Sequence, residues 1–557
     1  MTDQIILGGN LPDAIKLGAV DADAMYLGAN KVWPVGIDRG DYVGTGGKSA
    51  TLDSVVPSYL SWTPSTSWSV RKWTVSVWLK RHKLGVSQMI FGAGTDDFSR
   101  TSVYFDTDDK LHLYTQTGGT SEQWISTAVF RDVGAPIHIV SCLDVDQADP
   151  NDRWQWWVNG VKLTQFDLSE AISQVGQKWR VNAVPHAIGV RANDISANNA
   201  DVSVMQVLNI GDKAIQSGEI TINDLGRFSA DVSNWWVSKT YTGGYVNNND
   251  FLLDFSADNG ADSSGNGNDW TVQGAPTYSF DIPGDNFATL NPLAVGALNP
   301  ILSEGNLRHS NSTVADVGTV LGTFILPPTG KFWWEVTCNN NATGSMAGCT
   351  KYQTANLATP GSDAGSELYG LRGTRLNSSI YENGVVTGNS TVAFDEGTPA
   401  LFYVDMDART MGAVVGTVDQ GIIITDLPAN IVPSVNDRAN GYIADMTINF
   451  GQSSSFNTPP TGYKPLSSAN LPAQYVEGGA IPDIAYTGNN NVDGVFIPTM
   501  LLKSFSVGAN DYQRDPEIEP QDVDWNENGI KFRSSGGDND GAKTMTNILN
   551  EKDMAYT

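Results

Sequence analysis

The sequence predicts an all-β protein, tandem antiparallel β-sandwiches behind an extended N-terminal arm, and three observations predict it. Apolar and polar residues alternate with period two in several separate runs, the spacing that gives a strand one core face. The 57 Gly, with abundant Asn, Ser, Thr and Asp and 10% aromatic residues, punctuate those runs as turn formers do, and no long stretch has helical periodicity. A chain of 557 residues exceeds one core and implies roughly three to four domains at about 150 residues each.

The chain opens with an apolar-x-Leu-Gly motif at ten-residue spacing: IILG at 5–8, IKLG at 15–18 and MYLG at 25–28, closed by Lys31, Val32, Trp33 and Pro34. A segment this short cannot close its own core and must borrow a surface. Each copy fits a short strand that ends in a tight turn, where a residue without Cβ is needed. Two readings stand: strands laid along the first globular domain, or an arm that adds strands to a neighbouring protein's sheet. The second is preferred for residues 1–37, with Leu7, Leu17, Leu27 and Trp33 as docking residues. Asp3, Asp13, Asp21 and Asp23 interrupt the apolar character that an export signal requires, so the arm is not expected to be one.

Residues 38–285 form the first predicted module. In WTVSVWLKR (73–81), Trp73, Val75, Val77 and Leu79 face one way and Thr74, Ser76, Trp78 and Lys80 the other, the pattern of a half-buried antiparallel strand. RWQWWVNGVKL (153–163) reads as a hairpin turning at Asn159-Gly160. Further strands are expected at 88–94, 111–115, 137–145, 186–190, 201–209 and 250–255. The order YLSWTP (59–64), WTVSVWLKR, FRD (130–132), IHIV, DRWQWWVNG, HAIG and DSSGNGND (262–269), with the exit DNFATLNPL (285–293), resembles a laminin-G/concanavalin-like, jelly-roll module. In particular it resembles the version common in tailed-phage structural proteins.

Residues 286–475 form a second module. GKFWWEVT (330–337) sets Phe332, Trp334 and Val336 against Trp333 and Glu335, LFYVDMDARTMGAVV (401–415) gives two strands around an Asp-rich turn, and IADMTINFGQ (443–452) gives another. With LSEGNLRHS (302–310) and PPTGYKPLSSANLP (459–472), these pieces resemble a SPRY-like domain, again as found in phage virion proteins. Residues 476–557 carry AYTGNNNVDGVFIPTMLLKS and DVDWNENGIKFRSS, which read as strands with Asn-Gly turns and resemble a phage-fibre module, with an incomplete module at Thr557 as one reading.

Charge and cysteine content bound the partners. Lys and Arg total 34 against 61 Asp and Glu, and the net charge of −27 repels nucleic acid and anionic lipid surfaces alike. Three cysteines, Cys142, Cys338 and Cys349, are too few for a disulfide framework and fit assembly in a reducing host cytoplasm. No apolar run reaches the roughly 18 residues of a membrane span.

Candidate sites each have a plain alternative. Asp262, Asp269 and Asp258 put hard oxygen ligands on or beside a Gly-rich loop, the chemistry of Ca²⁺, and laminin-G-like loops sometimes hold calcium. The same residues also form turns by bonding to their own backbone. Asp144, Asp146, Asp149 and Asp152 read as a solvated loop. Trp156 and Trp157 are candidates for stacking on glycan rings, against the reading of core aromatics; alternation puts them on opposite faces, so one should point away from the core. His138 and His186 read as packed, and Cys338 and Cys349 as two buried thiols rather than partners across a hairpin. The five histidines lack metal spacing, and no nucleophile elbow, phosphate loop or paired-carboxylate glucanase motif occurs, so neither a catalytic residue nor a cofactor beyond Ca²⁺ is predicted.

The resemblance implies a virion structural protein of a phage tail or fibre, anchored by its arm to other virion proteins and attaching to a host-surface glycan or protein. A homo-oligomer, with a trimer as one form, is implied by the same likeness. Two alternatives remain at this point: a head fibre or decoration protein with a purely structural role, and a polysaccharide depolymerase.

Overall fold

The computed structural model describes residues 39–41, 47–55, 57–66, 71–174, 177–229, 236–245, 247–295, 301–310, 319–340, 345–351, 368–373, 378–437 and 444–471, with short strands at 16–17, 20–21, 25–27, 30–33, 523–526, 529–532 and 543–544. The helical turns among them are 3-10 turns, and no helix is long and apolar enough to cross a membrane.

Two β-sandwiches follow one another. In the first, a front sheet runs edge to edge through Phe166–Ser169, Thr120–Val129, Lys110–Thr117, Ser99–Phe105, Gln88–Asp96, His186–Ile188, Tyr59–Trp62 and Thr271–Gln273. A back sheet runs through Val161–Lys162, Trp154–Val158, Ile137–Asp144, Lys72–Arg81, Val202–Gly211, Ser49–Leu52 and Thr277–Ser279, with Phe251–Leu253 also on Val202–Gly211. The core between them takes Trp73, Val75, Val77 and Leu79 from the back sheet and Phe91, Val103, Phe105, Leu111 and Leu113 from the front. Trp73 meets Trp154 edge-on at 5.1 Å, the arrangement ring quadrupoles favour.

The Lys72–Arg81 strand corrects one expectation. Its inward residues are those that alternation assigns, but the strand is not half-buried: Thr74, Ser76, Trp78 and Lys80 are buried too. A third layer covers that side. Val140, Cys142, Trp157, Leu208 and Ile210 pack under Ile220 and Leu225, while Trp78 packs with Met205 and Trp236. The polar members of this face find partners, with Ser76 Oγ 2.7 Å from His138 Nε2 and Thr74 donating to the Lys213 carbonyl at 2.9 Å. Alternation along one strand cannot reveal a cover supplied from elsewhere in the chain.

At the hairpin, Asn159 and Gly160 both take positive φ, 46° and 82°, the backbone of a two-residue turn that follows the twist of its strands. Gly160 is required twice over, because a Cβ there would stand 2.4 Å from the Trp236 ring.

The second sandwich has one sheet ordered Leu290–Val295, Thr319–Gly322, Ile431–Asp437, Ser345–Lys351, Leu368–Arg372, Ser379–Glu382 and Val385–Asn389. The other is ordered Ile301–Ser303, Arg308–Ser310, Asp445–Asn449, Lys331–Cys338, Pro399–Asp405, Thr410–Val415 and Val418–Ile424, with Lys464–Pro465 parallel to Lys331–Cys338. Phe332, Trp334 and Val336 enter the core as their spacing requires, and Trp333 packs on the opposite face with Leu401 and Tyr403. Glu335 is buried there, its carboxylate accepting from the Phe456 and Asn457 amides. Cys338 and Cys349 are buried free thiols on strands of different sheets, so no shared hairpin brings them together.

The two sandwiches share packing. Ala135 and Val237 of the first belong to the core of the second. Polar groups lock the same junction: Asn306 Nδ2 donates to the His82 carbonyl at 2.9 Å, Asn286 Nδ2 to the Gly134 carbonyl at 2.7 Å, and the Phe280 amide to the Gln452 carbonyl at 2.8 Å.

In the arm, the second and third repeats are hairpins. Lys16–Leu17 pairs with Val20–Asp21 and Met25–Leu27 with Asn30–Trp33, so these short strands pair with each other rather than with a sandwich sheet. Leu17, Leu27 and Trp33 occupy these strands, and Leu7 lies outside the described residues. Near the other end, Val523–Asn526, Gly529–Phe532 and Lys543–Thr544 make a three-stranded sheet, and 476–500 lies outside the described residues.

Candidate functional site

The Gly-rich loop at 262–269 is a hydrogen-bonded staple. Asp262 Oδ1 accepts from the Leu252 and Ser264 amides at 2.9 and 2.8 Å, and Oδ2 from Ser264 Oγ and the Asn268 amide at 2.8 and 2.9 Å. Asp269 accepts from the Asp262 amide at 2.8 Å, while Ser264, Asn266 and Asn268 all donate to the Asp250 carbonyl. Asp258 turns away to Lys48 at 2.7 Å. A cation would have to displace four donors from Asp262, so these residues do not fit calcium; the turn-forming reading of the same residues accounts for the loop. Among the described residues no group of three or more His, Cys, Asp or Glu could hold a metal ion.

The other predicted candidates separate similarly. Asp144 is not in a solvated loop: it is 1% exposed and accepts from Ser217, Gln147 and the Asp146 amide, whereas Asp146 pairs with Arg71 and Asp149 caps a 3-10 turn. Trp156 and Trp157 do lie on opposite faces, but both are buried, Trp156 between the sheets and Trp157 under the third layer. Neither presents a ring to a glycan, because both faces of this sheet are covered. His138 and His186 are packed, and burial pushes each imidazole from 6.5 down to about 3. His138 stacks on Trp78 at 4.5 Å and accepts from Trp236 Nε1 at 2.8 Å, which assigns its proton to Nε2.

The residues that do face outward were not singled out from the sequence. Strands Ser99–Phe105, Lys110–Thr117 and Thr120–Val129 send Val103, Phe105, Leu111, Leu113 and Trp124 to the core. Period two then turns Arg100 and Tyr104, His112, Tyr114 and Gln116, and Gln123 to the outer face. The register sets Tyr104 opposite His112, Arg100 opposite Gln116 and Tyr114 opposite Gln123.

Contacts fix this ladder. Tyr104 stacks on His112 at 4.7 Å, the Arg100 guanidinium stands 4.3 Å over the Tyr114 ring, and Tyr114 donates to Gln116 Oε1 at 2.7 Å. Arg100, Tyr104, Tyr114, Gln116 and Gln123 stay partly exposed. Partial burial raises the Tyr104 phenol to about 12, so it remains a hydrogen-bond donor at neutral pH, and burial lowers His112, which keeps its ring uncharged there.

Two loops rim the same end. Phe98 is 64% exposed and Ile195 57%, and their loops are tied together where Asn193 Nδ2 donates to Asp97 at 3.0 Å beside the Arg191–Asp97 ion pair. Fixed aromatic rings, amide side chains and a guanidinium on a rigid sheet can hold a hydroxyl-rich ring or an extended peptide. The available signal was Gly118-Gly119, a two-residue turn between alternating runs, with φ of 59° and 92°.

No protein-family model matches the chain, and no curated protein matches it. Among solved structures it is similar to mouse laminin alpha1 chain domains LG4-5, at 9% identity over 79% of this chain and 96% of that one, with a TM-score of 0.28. It is also similar to the SPRY domain of human HERC1, at 15% identity over 30% of this chain and 99% of that one, TM-score 0.24. A third is the native heptameric SAP-like pentraxin from Limulus polyphemus, at 14% identity over 43% of this chain and 93% of that one, TM-score 0.25. At these identities the likeness is one of fold alone.

Proposed function

We propose that this chain is a virion structural protein of a phage tail or fibre, held to other virion proteins by residues 1–37 and attaching to a host-surface glycan or protein. Its contact surface is the front-sheet face of the first sandwich. The module order supports the virion assignment, through the sequence likeness alone. The observation that carries the attachment reading is the Arg100, Tyr104 and Tyr114 ladder, half-exposed and held by its own contacts before any ligand arrives. Its work is binding and not turnover, in a homo-oligomer assembled in the host cytoplasm.

The test is binding of labelled full-length protein to cells of the bacterial host, with a glycan array in parallel. The double variant Tyr104→Ala, Tyr114→Ala should lose at least about tenfold in affinity, as truncation of anchor aromatics does. Binding by the parent that the double variant retains would remove this face from the mechanism. No binding by the parent would favour a decoration protein, and sugar release would favour a depolymerase.

A further inference from the structure

At the junction, Lys80 is fully buried and its ammonium donates to three oxygens: Asp281 Oδ2 at 2.9 Å, Asn286 Oδ1 at 2.7 Å and the Phe287 carbonyl at 2.8 Å. Asp281 and Asn286 are buried with it. The Asn286 carboxamide is gripped from both ends, Oδ1 by Lys80 and Nδ2 by the Gly134 carbonyl at 2.7 Å. The electrophilic carbon of that amide, Cγ, is one bond beyond the oxygen that Nζ touches, so a small shift of the lysine brings nitrogen and carbon to the roughly 3–3.5 Å separation of a near-attack pair. The three side chains therefore hold an amine, an amide carbonyl and a proton carrier together, away from water.

We propose that Lys80 and Asn286 are joined by an amide bond that forms once the two sandwiches have docked. Lys80 Nζ passes a proton to the Asp281 carboxylate, and the neutral amine forms a bond to Asn286 Cγ. The Cγ–Nδ2 bond breaks as Asp281 delivers its proton to Nδ2, and the departing nitrogen leaves as ammonia. The attacking nitrogen gives up its second proton to the Asp281 carboxylate thus freed. In sum, one ammonium and one carboxamide become one secondary amide and one ammonia with a proton to spare. Nothing is oxidised or reduced, and no co-reactant is needed.

The surroundings suit the first step. Separated charges are costly where water is excluded, so proton transfer that converts an ion pair into a neutral pair is less unfavourable there than in water. Burial accordingly raises the Asp281 carboxyl above its ordinary range, and Asp132, a second buried acid influenced by Lys80, is pushed up to about 7. Asp281 touches the reacting nitrogen and is the catalytic residue; Gly134, through its carbonyl, positions the amide. The bond would tie the back sheet of the first sandwich to the lead-in of the second, and it stands or falls independently of the attachment reading.

Intact-mass spectrometry of the full chain tests it. The parent should be lighter than its sequence by one ammonia, and protease digestion should yield a branched peptide joining Lys80 to Asn286. Asp281→Asn should restore the full mass. A parent at full sequence mass, or a deficit that maps to any other pair of residues, overturns the proposal whether or not the variant folds, and leaves Lys80 as a hydrogen-bonded anchor of the junction.

Discussion

The two sandwiches bury their charges differently. In the first, Arg180–Asp250 and Arg81–Asp109 are ion pairs almost wholly removed from water, and burial pushes His82, His138 and His186 down to about 3, so that they stay neutral. In the second, the ion pairs of Arg308 with Asp445 and Glu304 and of Lys331 with Asp405 lie at the surface, the buried Glu335 is held by the Phe456 and Asn457 amides, and burial pushes His309 down to about 4. A buried pair is a poor source of net stability, since desolvation takes back most of the attraction, but losing one partner is severe. Both cores are apolar, so what distinguishes the two, among the described residues, is that the first holds opposite charges paired in its interior and the second keeps its ion pairs at the surface.

Four substitutions test that contrast. Arg180→Met leaves Asp250 buried without its guanidinium, and denaturant unfolding should show a loss of about 3–5 kcal/mol; a loss below about 1 kcal/mol would equate the two sandwiches. Gly160→Ala forces a left-handed alanine against the Trp236 ring and should cost about 1–3 kcal/mol by the same measurement.

The pH dependence comes next. The folded state holds His138 at about 3 against an ordinary 6.5, so as pH falls below 6.5 the unfolded chain takes up a proton that the folded chain refuses. Stability is therefore lost as pH falls through this window, by up to about 1.4 kcal/mol per pH unit per imidazole. Asp132 works with the opposite sign, since its raised carboxyl gives the folded state extra proton binding between 3.8 and about 7. Comparing His138→Gln with the parent cancels that contribution. The variant should show a shallower fall in stability from pH 6.5 toward 4, and parallel curves would contradict buried neutrality. The smallest effect belongs to the second sandwich. Arg308→Ala removes a surface pair and should cost no more than about 1 kcal/mol.

Much of the strand pattern was legible because alternation is a local property. The faces of Trp73 to Lys80, the opposition of Trp156 and Trp157, and the Asn159-Gly160 turn all follow from residues a few positions apart. What alternation cannot carry is the identity of the cover. Trp157 is buried under Ile220 and Leu225, Trp78 under Trp236, and Lys80 under Asp281, Asn286 and Phe287, residues that reach them only through the fold. An Asp-rich loop likewise looks the same in sequence whether its carboxylates await a cation or already accept backbone amides, as those of Asp262 and Asp269 do. The outer face of Arg100, Tyr104 and Tyr114 was missed because its strands are rich in Ser, Thr and Gln, and their polar positions do not announce which aromatic rings stay outside.

Strand Ser49–Leu52 pairs with Thr277–Ser279. A ribosome must therefore release most of the first half of the polypeptide before that sheet can gain its edge, and the loop-closure entropy of so distant a pairing delays it further. Until then the nascent chain displays Lys80 without Asp281, Asn286 and Phe287, a window in which chaperone capture competes with completion of the sheet.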